Sequence, residues 1–270
     1  MKIWKNTATL DGYDAGLGFT ESKDDAKIAL LGSKPIVLDE FPNLKGIFRA
    51  GIGRDNVPEE EAKKRNILVR FPSQKTIGII FDETASFTCS LIFRMIYSSV
   101  GMIDPWIKYS RREFSSKTLL VIGKGNIGSR VIKTMKHFMN VVDFDIIENK
   151  LELLPDLLKM ADCITLHIPK SEDNNSFMNK ERLAYMKDGS ALINTARGSI
   201  VDEQALYDEI KNGRIKAAFD VFWNEPYSGK LKEFYPNQFY MTPHVASTCE
   251  GFLTGCRQSL DTLIEELKND

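Results

Sequence analysis

The chain is poor in the residues that metal sites and disulfide frameworks need. Of 270 residues, three are histidine and four are cysteine. The cysteines, at positions 89, 163, 249 and 256, show no CxxC spacing, and no two histidines are spaced as metal ligands. That argues against a zinc site, and no metal ligands are assigned. Scattered thiols fit a reducing compartment, so a cytoplasmic protein is expected. Neither sign of charge is in excess: 36 Lys and Arg face 37 Asp and Glu, a net charge of −1. Nucleic acid and anionic membrane surfaces are therefore not expected partners. The N-terminus, MKIWKNTATL, lacks an apolar signal-peptide core. The most apolar long stretch, 77–102, is interrupted by Asp82, Glu83 and Arg94 and is not expected to span a bilayer. Repeats and low-complexity segments are also missing. What is left is 43% hydrophobic and 27% charged, ordinary for one large or two smaller globular domains.

Against that background one stretch stands out, Thr118 to Asp145. A short apolar run, Thr118 to Ile122, stops at Gly123-Lys124-Gly125-Asn126-Ile127-Gly128. Residues of helical spacing follow, with Ile127, Val131, Ile132, Met135 and Phe138 on one face. A second apolar run, Val141 to Phe144, ends on Asp145, 22 positions after Gly123. Strand, tight turn, helix and strand with an acid at the tip form a dinucleotide-binding βαβ pattern. Gly123 permits the turn, Gly125 lets the backbone approach a pyrophosphate, and Gly128 lets helix and strand pack closely. The helix N-terminus offers N–H groups and partial positive charge. Asp145 suits a ribose diol, and no Arg follows it, so NAD is favoured over NADP. At this point S-adenosylmethionine-binding folds, which share the glycine turn and the strand-end acid, still compete.

Strands and helices alternate from residue 118 onward, which implies a parallel doubly wound sheet. Ligands in such sheets bind at the carboxyl ends of the strands. His167, Arg197, Asp220 and His244 all fall where strands run out, and Glu225 follows in a Pro-terminated loop. Arg197 has the planar fork to bind a carboxylate, or it forms a structural ion pair. His244 can exchange a proton near neutral pH, with Glu225 to orient it. His167 is either catalytic or a wall of the nucleotide pocket. His137, in the last turn of the leading helix, is expected to serve the helix dipole. A long helix is expected from Asp82, as N-cap, to about Asp104, with Pro105 just beyond.

From about Gly46 onward the chain resembles the D-isomer-specific 2-hydroxyacid dehydrogenases, a family that includes phosphoglycerate, glycerate, lactate and formate dehydrogenases. The segment Lys45-Gly46-Ile47-Phe48-Arg49-Ala50-Gly51-Ile52-Gly53-Arg54-Asp55-Asn56 is similar to the family's substrate loop, and Gly123 to Gly128 to its glycine fingerprint. Met186 to Gly198, running on through Val201-Asp202, is close to its most diagnostic signature. Asp220-Val221-Phe222, Glu225-Pro226 and Thr242-Pro243-His244 complete the set. The resemblance implies a Rossmann nucleotide domain over 81–246. It also implies a smaller, trimmed, flavodoxin-like α/β substrate domain made of 1–80 and 247–270. By the same resemblance Arg197 would hold the substrate carboxylate and polarise its keto oxygen, His244 would be the acid/base, and Glu225 its partner. Asp220 would meet the nicotinamide carboxamide, and Asn126 and Ile127 the pyrophosphate. His167, Ile168, Pro169, Thr195 and Ala196 would flank the cofactor, and Gly51, Ile52 and Gly53 would grip the substrate carboxylate through their amides.

The expected activity is hydride transfer between NAD(H) and a small 2-hydroxy or 2-keto acid. The alternative is a nucleotide-binding, corepressor-like regulator of the same fold with little turnover. A homodimer is implied by the resemblance, with Phe87, Leu91, Ile92, Met95 and Ile96 as interface or as core. The chain departs from the family pattern in its short segment before Gly46, in Arg54, in Asp82 and in the early position of Asp145. Arg54 either joins Arg49 in receiving a substrate phosphate or is solvated.

Overall fold

The computed structural model describes residues 1–269. They divide into two compact units. One comprises Met1–Ile80 with the segment from Ser247 onward, and the other Phe81–Ala246.

The first unit is built on β1 (Lys2–Lys5), β2 (Gly18–Phe19), β3 (Ile28–Leu31), β4 (Gly46–Arg49) and β5 (Leu68–Arg70), with α1 (Glu59–Lys64) before β5. The sheet is parallel throughout, in the order β2-β1-β3-β4-β5. That is the flavodoxin-like order. β3 and β4 are buried along their whole length, so they read as unbroken apolar runs rather than as alternating ones. Leu30 and Phe48 face Phe252, Leu260 and Leu263 on one side. Ala29, Leu31 and Ile47 face Leu38, Phe41 and Ala62 on the other. The unit is economical: β3 connects to β4 through a single 3-10 turn, Leu38–Glu40, where a crossover helix is usual.

α2 (Gln74–Ile96) runs from the first unit into the second. It starts eight residues before the expected N-cap. Ser73 is the cap, its Oγ accepting from the Thr76 N–H at 3.3 Å. Asp82 lies inside the helix and pairs with Arg130 at 2.6 Å. The helix also ends early, and a short antiparallel hairpin follows, β6 (Gly101–Met102) with β7 (Ile107–Lys108). By length and composition α2 could cross a membrane. Ala85, Cys89, Leu91, Ile92 and Met95 are nevertheless buried against the second unit's sheet, as in a core helix.

The second unit carries β8 (Thr118–Ile122), α3 (Asn126–Met135), β9 (Asn140–Phe144), α4 (Leu154–Met160), β10 (Cys163–Leu166), α5 (Lys180–Tyr185), β11 (Ala191–Asn194), α6 (Glu203–Lys211), β12 (Lys216–Phe219) and β13 (Phe239–Met241). The last helix of the chain, α7 (Glu250–Asn269), belongs to the first unit. The six-stranded sheet is parallel, ordered β13-β12-β11-β10-β8-β9. Side chains alternate across a strand, and both faces here are apolar. Leu120, Ile122, Ile164 and Leu192 point to one cluster, and Leu119, Val121, Cys163 and Ile193 to the other. The doubly wound class inferred from the sequence is the observed one. Strand order reverses between β8 and β10, so the crevice beyond their carboxyl ends is the switch point where a nucleotide binds.

Candidate active site

At that switch point β8 runs into Gly123, whose φ is +97°. A Cβ on Gly123 would lie 2.6 Å from the His167 carbonyl oxygen, and one on Gly128 would lie 1.9 Å from the Gly123 carbonyl oxygen. A side chain at Gly125 would meet nothing within 4 Å and would fill the open space over the turn. The outer glycines are thus needed for close packing, and the middle one keeps a cradle clear. The first turn of α3 adds amides that have no carbonyl partner within the helix. These residues fit the diphosphate of a dinucleotide.

Asp145 stands at the tip of β9. Its Oδ2 accepts the Lys124 N–H at 2.8 Å and its Oδ1 the Ile147 N–H at 3.0 Å. A carboxylate offers about four acceptor sites, so two remain for a ribose diol. Sequence reading passed over Lys124, whose ammonium pairs with Asp143 and Glu148. The His167 ring lies beside Thr165, with Nε2 3.0 Å from its Oγ1. Burial pushes its pKa down to about 3. A neutral imidazole packed behind the glycine turn suits the cofactor wall, not proton transfer. Ile168 follows, its Cγ2 3.1 Å from a Cβ placed at Gly123, and Pro169 is next in the chain. Thr195 is pinned to Thr88 at 2.8 Å between hydroxyls, with Ala196 next in line. Asn126 and Ile127 open α3, whereas His137 lies beyond its end rather than in its last turn.

Three neighbouring strands, β11, β12 and β13, supply the reactive rim. Arg197 follows β11 and donates through Nη1 to the Ala196 carbonyl at 2.8 Å. Its position depends on Gly198, where a Cβ would come within 2.1 Å of the Phe222 carbonyl carbon. Only glycine lets the Arg197 turn lie directly against the loop after β12. That loop carries Glu225, which accepts the Phe222 N–H at 3.1 Å. Both Glu225 oxygens meet His244 Nδ1, at 3.1 and 2.9 Å. The pair remains partly open to solvent, at 34% and 26% side-chain exposure, so Nε2 is the imidazole atom left to meet a ligand.

The backbone at His244 has φ +55°, in the left-handed region that non-glycine residues rarely adopt. Asp220 holds it there. This fully buried carboxylate accepts from Thr242 Oγ1 at 2.6 Å and from the Val245 and Ala246 N–H groups at 2.9 Å each. Oδ1 takes two of these donors and Oδ2 one. Burial pushes the Asp220 carboxyl above its ordinary range, against the pull of those donors and of His244. The resemblance assigns Asp220 to the cofactor, and nothing in the sequence signals that it braces the loop carrying His244.

In the first unit the expected substrate loop contains a correction. Arg49 is 6% exposed. Its Nε donates to Asn56 Oδ1 at 3.2 Å and its Nη1 to the Ala50 carbonyl at 2.5 Å. Gly51, at φ +143°, lies over the guanidinium, where a Cβ would meet Nη1 at 2.5 Å. Arg49 therefore supports the turn of Gly51, Ile52 and Gly53 from beneath and does not present its charge to a ligand. Asn56 extends the brace to the Gly32 and Lys34 carbonyls, at 2.7 and 2.9 Å. Arg54 is separate from this network: it grips both oxygens of Glu59 and lies 4.2 Å from the Phe71 ring centroid. The two arginines thus have different partners.

Comparison with known proteins agrees with this geometry. The profile of the D-isomer specific 2-hydroxyacid dehydrogenase NAD binding domain matches residues 102–246. A hydroxypyruvate reductase of Thermotoga maritima is 33% identical over 228 residues, 79% of this chain and 74% of that one. A glyoxylate reductase of Thermofilum pendens is 34% identical over 251 residues, 83% of this chain and 72% of its own. A D-3-phosphoglycerate dehydrogenase of Methanocaldococcus jannaschii is 36% identical over 211 residues, 70% of this chain but only 39% of that protein's length. The D-lactate dehydrogenase of Aquifex aeolicus, solved with NAD and lactic acid, shares the fold at a TM-score of 0.80 and 24% identity, over all of this chain and 96% of that one. The chain belongs to the D-isomer-specific 2-hydroxyacid dehydrogenase family and is an NAD-dependent oxidoreductase acting on small 2-hydroxy and 2-keto acids.

Proposed function

We propose that the protein reduces a small, unphosphorylated 2-keto acid of the hydroxypyruvate or glyoxylate type. The observation that carries this reading is the clamp of both Glu225 oxygens on His244 Nδ1, on the loops after β12 and β13, with Arg197 following β11 in the same sheet. Two further facts favour an unphosphorylated substrate. Arg49 and Arg54 are committed elsewhere, and the chain spans far more of the hydroxypyruvate and glyoxylate reductases than of the phosphoglycerate dehydrogenase.

The residue roles proposed are those that the family resemblance implies. Gly123, Gly125, Asn126, Ile127, Gly128 and Asp145 would hold the cofactor's diphosphate and ribose, and Asp220 its carboxamide. When bound, NADH supplies the hydride for the keto carbon. Arg197 binds the substrate carboxylate and stabilises the negative charge growing on the keto oxygen. Protonated His244 donates its Nε2 proton to that oxygen, while Glu225 fixes the ring and stabilises the imidazolium. In the oxidative direction neutral His244 takes the proton back. The amides of Gly51, Ile52 and Gly53 are proposed as further donors to the substrate carboxylate.

A panel of hydroxypyruvate, glyoxylate, pyruvate and phosphohydroxypyruvate, followed by NADH absorbance, tests the reading. The first two are expected to give the highest kcat/KM. Tight NADH binding with no turnover of any 2-keto acid would instead indicate a regulatory module.

We also propose a cytoplasmic homodimer. The cysteines are free thiols and three are buried, in keeping with a reducing compartment. Of the helix residues read as interface or core, Leu91, Ile92 and Met95 are core, at most 2% exposed, and Phe87 and Ile96 are partly buried against them. An exposed apolar patch lies on the hairpin, where Ile103 is 83% and Trp106 76% exposed beside Met102 and Ile107. An exposed patch of this kind marks a contact surface, and a second copy presenting the same hairpin would cover it. Light scattering is expected to give twice the chain mass, and the monomer mass for the Ile103→Glu, Trp106→Glu variant. A wild-type monomer rules this out.

A further inference from the structure

We infer that Lys124 is the residue through which this chain discriminates between the two nicotinamide dinucleotides, with Asp143 and Glu148 holding it in the NAD-selective state. The inference rests on the nucleotide site proposed above and goes beyond the single acid, Asp145, to which sequence reading assigns the preference.

Lys124 is the first variable residue of the glycine turn. Its backbone is fixed from two sides. Its N–H donates to Asp145 Oδ2 at 2.8 Å, and its carbonyl accepts from Ser129 Oγ at 2.7 Å. The side chain therefore starts beside the carboxylate that would receive the adenosine ribose. From there Nζ reaches Glu148 Oε2 at 2.5 Å and Asp143 Oδ2 at 3.2 Å. Glu148 is presented by a turn closed on Asp145. The Asp145 carbonyl accepts the Glu148 and Asn149 N–H groups at 2.9 and 2.8 Å, and Asn149 Oδ1 accepts the Asp145 N–H at 2.9 Å.

Two carboxylates thus clamp the ammonium, and a third, Asp145, holds the backbone amide of the same residue next to the ribose site. The only added feature of NADP is a phosphate on the 2′-oxygen, and it would meet this excess of negative charge. Lys124, the cation beside it, is already engaged. With one clamp acid removed, Lys124 is an ammonium on a flexible stem beside the 2′-position, the group a phosphate needs. Lys124 and Glu148 lie at the surface, with 30% and 56% side-chain exposure, so altering them leaves the core intact.

The test is a fluorescence titration of NADH and NADPH into the full chain, wild type and variants. Wild type is expected to prefer NADH. Glu148→Gln is expected to tighten NADPH by about fivefold, the scale of one exposed ion pair, with a much smaller change for NADH. In the Glu148→Gln, Lys124→Met double variant that gain disappears. If Glu148→Gln leaves NADPH affinity unchanged, or if the gain survives Lys124→Met, the inference is overturned. A gain that survives Lys124→Met would mean that the acids act by repulsion alone. A wild type that binds neither nucleotide overturns the nucleotide site itself, an outcome separable from the others because no variant would then be needed to see it.

Discussion

Exchanging His244 for glutamine is expected to lower kcat by roughly 10³-fold, within the range that general acid–base catalysis contributes. Glutamine keeps the side-chain length and can still bond Glu225 through its amide. It cannot release a proton near neutral pH, so only the transfer step is lost. The nucleotide turn follows β8, and His244 follows β13 at the far edge of the same sheet. NADH affinity is therefore expected to stay within about threefold, which separates loss of chemistry from loss of fold. The acid/base limb of the kcat pH profile disappears with the imidazole. Glu225→Gln is the informative companion. It leaves a neutral acceptor on Nδ1 and removes the charge that stabilises the imidazolium, so a smaller loss of about 10²-fold is expected. Stopped-flow hydride transfer with the best substrate of the panel measures both. A His244→Gln enzyme within fivefold of wild type would remove His244 from the proposed mechanism.

Much of the fold was legible because its strands are buried on both faces. Thr118–Ile122 and Gly46–Arg49 are unbroken apolar runs that end at glycine or a charged residue, and the sheets use them with those bounds. α2 was read less well, for a tertiary reason. Ile77-Gly78-Ile79-Ile80 has a glycine and β-branched residues, which weaken a helix locally. Within the first unit α7 approaches this stretch closely enough that a Cβ at Gly255 would come within 2.2 Å of Thr76 Oγ1, and one at Gly251 within 3.2 Å of Ile79. Packing of that kind overrides propensity. Nothing in the local pattern of 74–80 announces a partner that lies some 180 residues further along the chain.

The site shows the same division. Strand ends and spacing brought out Arg197, Glu225 and His244, because chemistry at the carboxyl edge of a parallel sheet must come from the residues that follow its strands. Direction and burial of the side chains were not legible. An Arg after a buried strand reads as a charge offered to a ligand. Arg49 instead turns inward, because Asn56 and the Ala50 carbonyl satisfy its donors. Lys124 reads as a variable residue between two glycines, and only the closed turn at 145–149 shows what it faces. Gly198 reads as part of a signature, while its reason is the Phe222 backbone lying where a side chain would be.

Asp220 carries the second large effect. Truncation to alanine leaves the Thr242 hydroxyl and the Val245 and Ala246 amides without their acceptor. Buried donors left unsatisfied cost about 1–3 kcal/mol each before relaxation, and the loop can turn some of them to water. A net loss of roughly 3 kcal/mol in unfolding free energy is expected by urea titration. The catalytic effect has a separate origin. The same three bonds keep His244 at φ +55°, a conformation its own backbone does not favour. Without them the imidazole drifts from Glu225, and a displacement of about 1 Å costs roughly 10²-fold in kcat. Asp220→Asn separates the two. Its Oδ1 still accepts from Thr242 and Val245, while its amide turns a donor toward the Ala246 N–H, so both losses should be smaller. The wild-type carboxylate is not there for its charge. Its folded pKa is raised by burial, so its contribution to stability declines as pH rises from the unfolded value, about 3.9, through the folded one. What selects it is the capacity to accept three hydrogen bonds from one loop with two oxygens. If Asp220→Ala lost stability but kept wild-type kcat at a temperature where it is folded, the brace would be structural only, and the strained backbone at His244 would have to be held by something else.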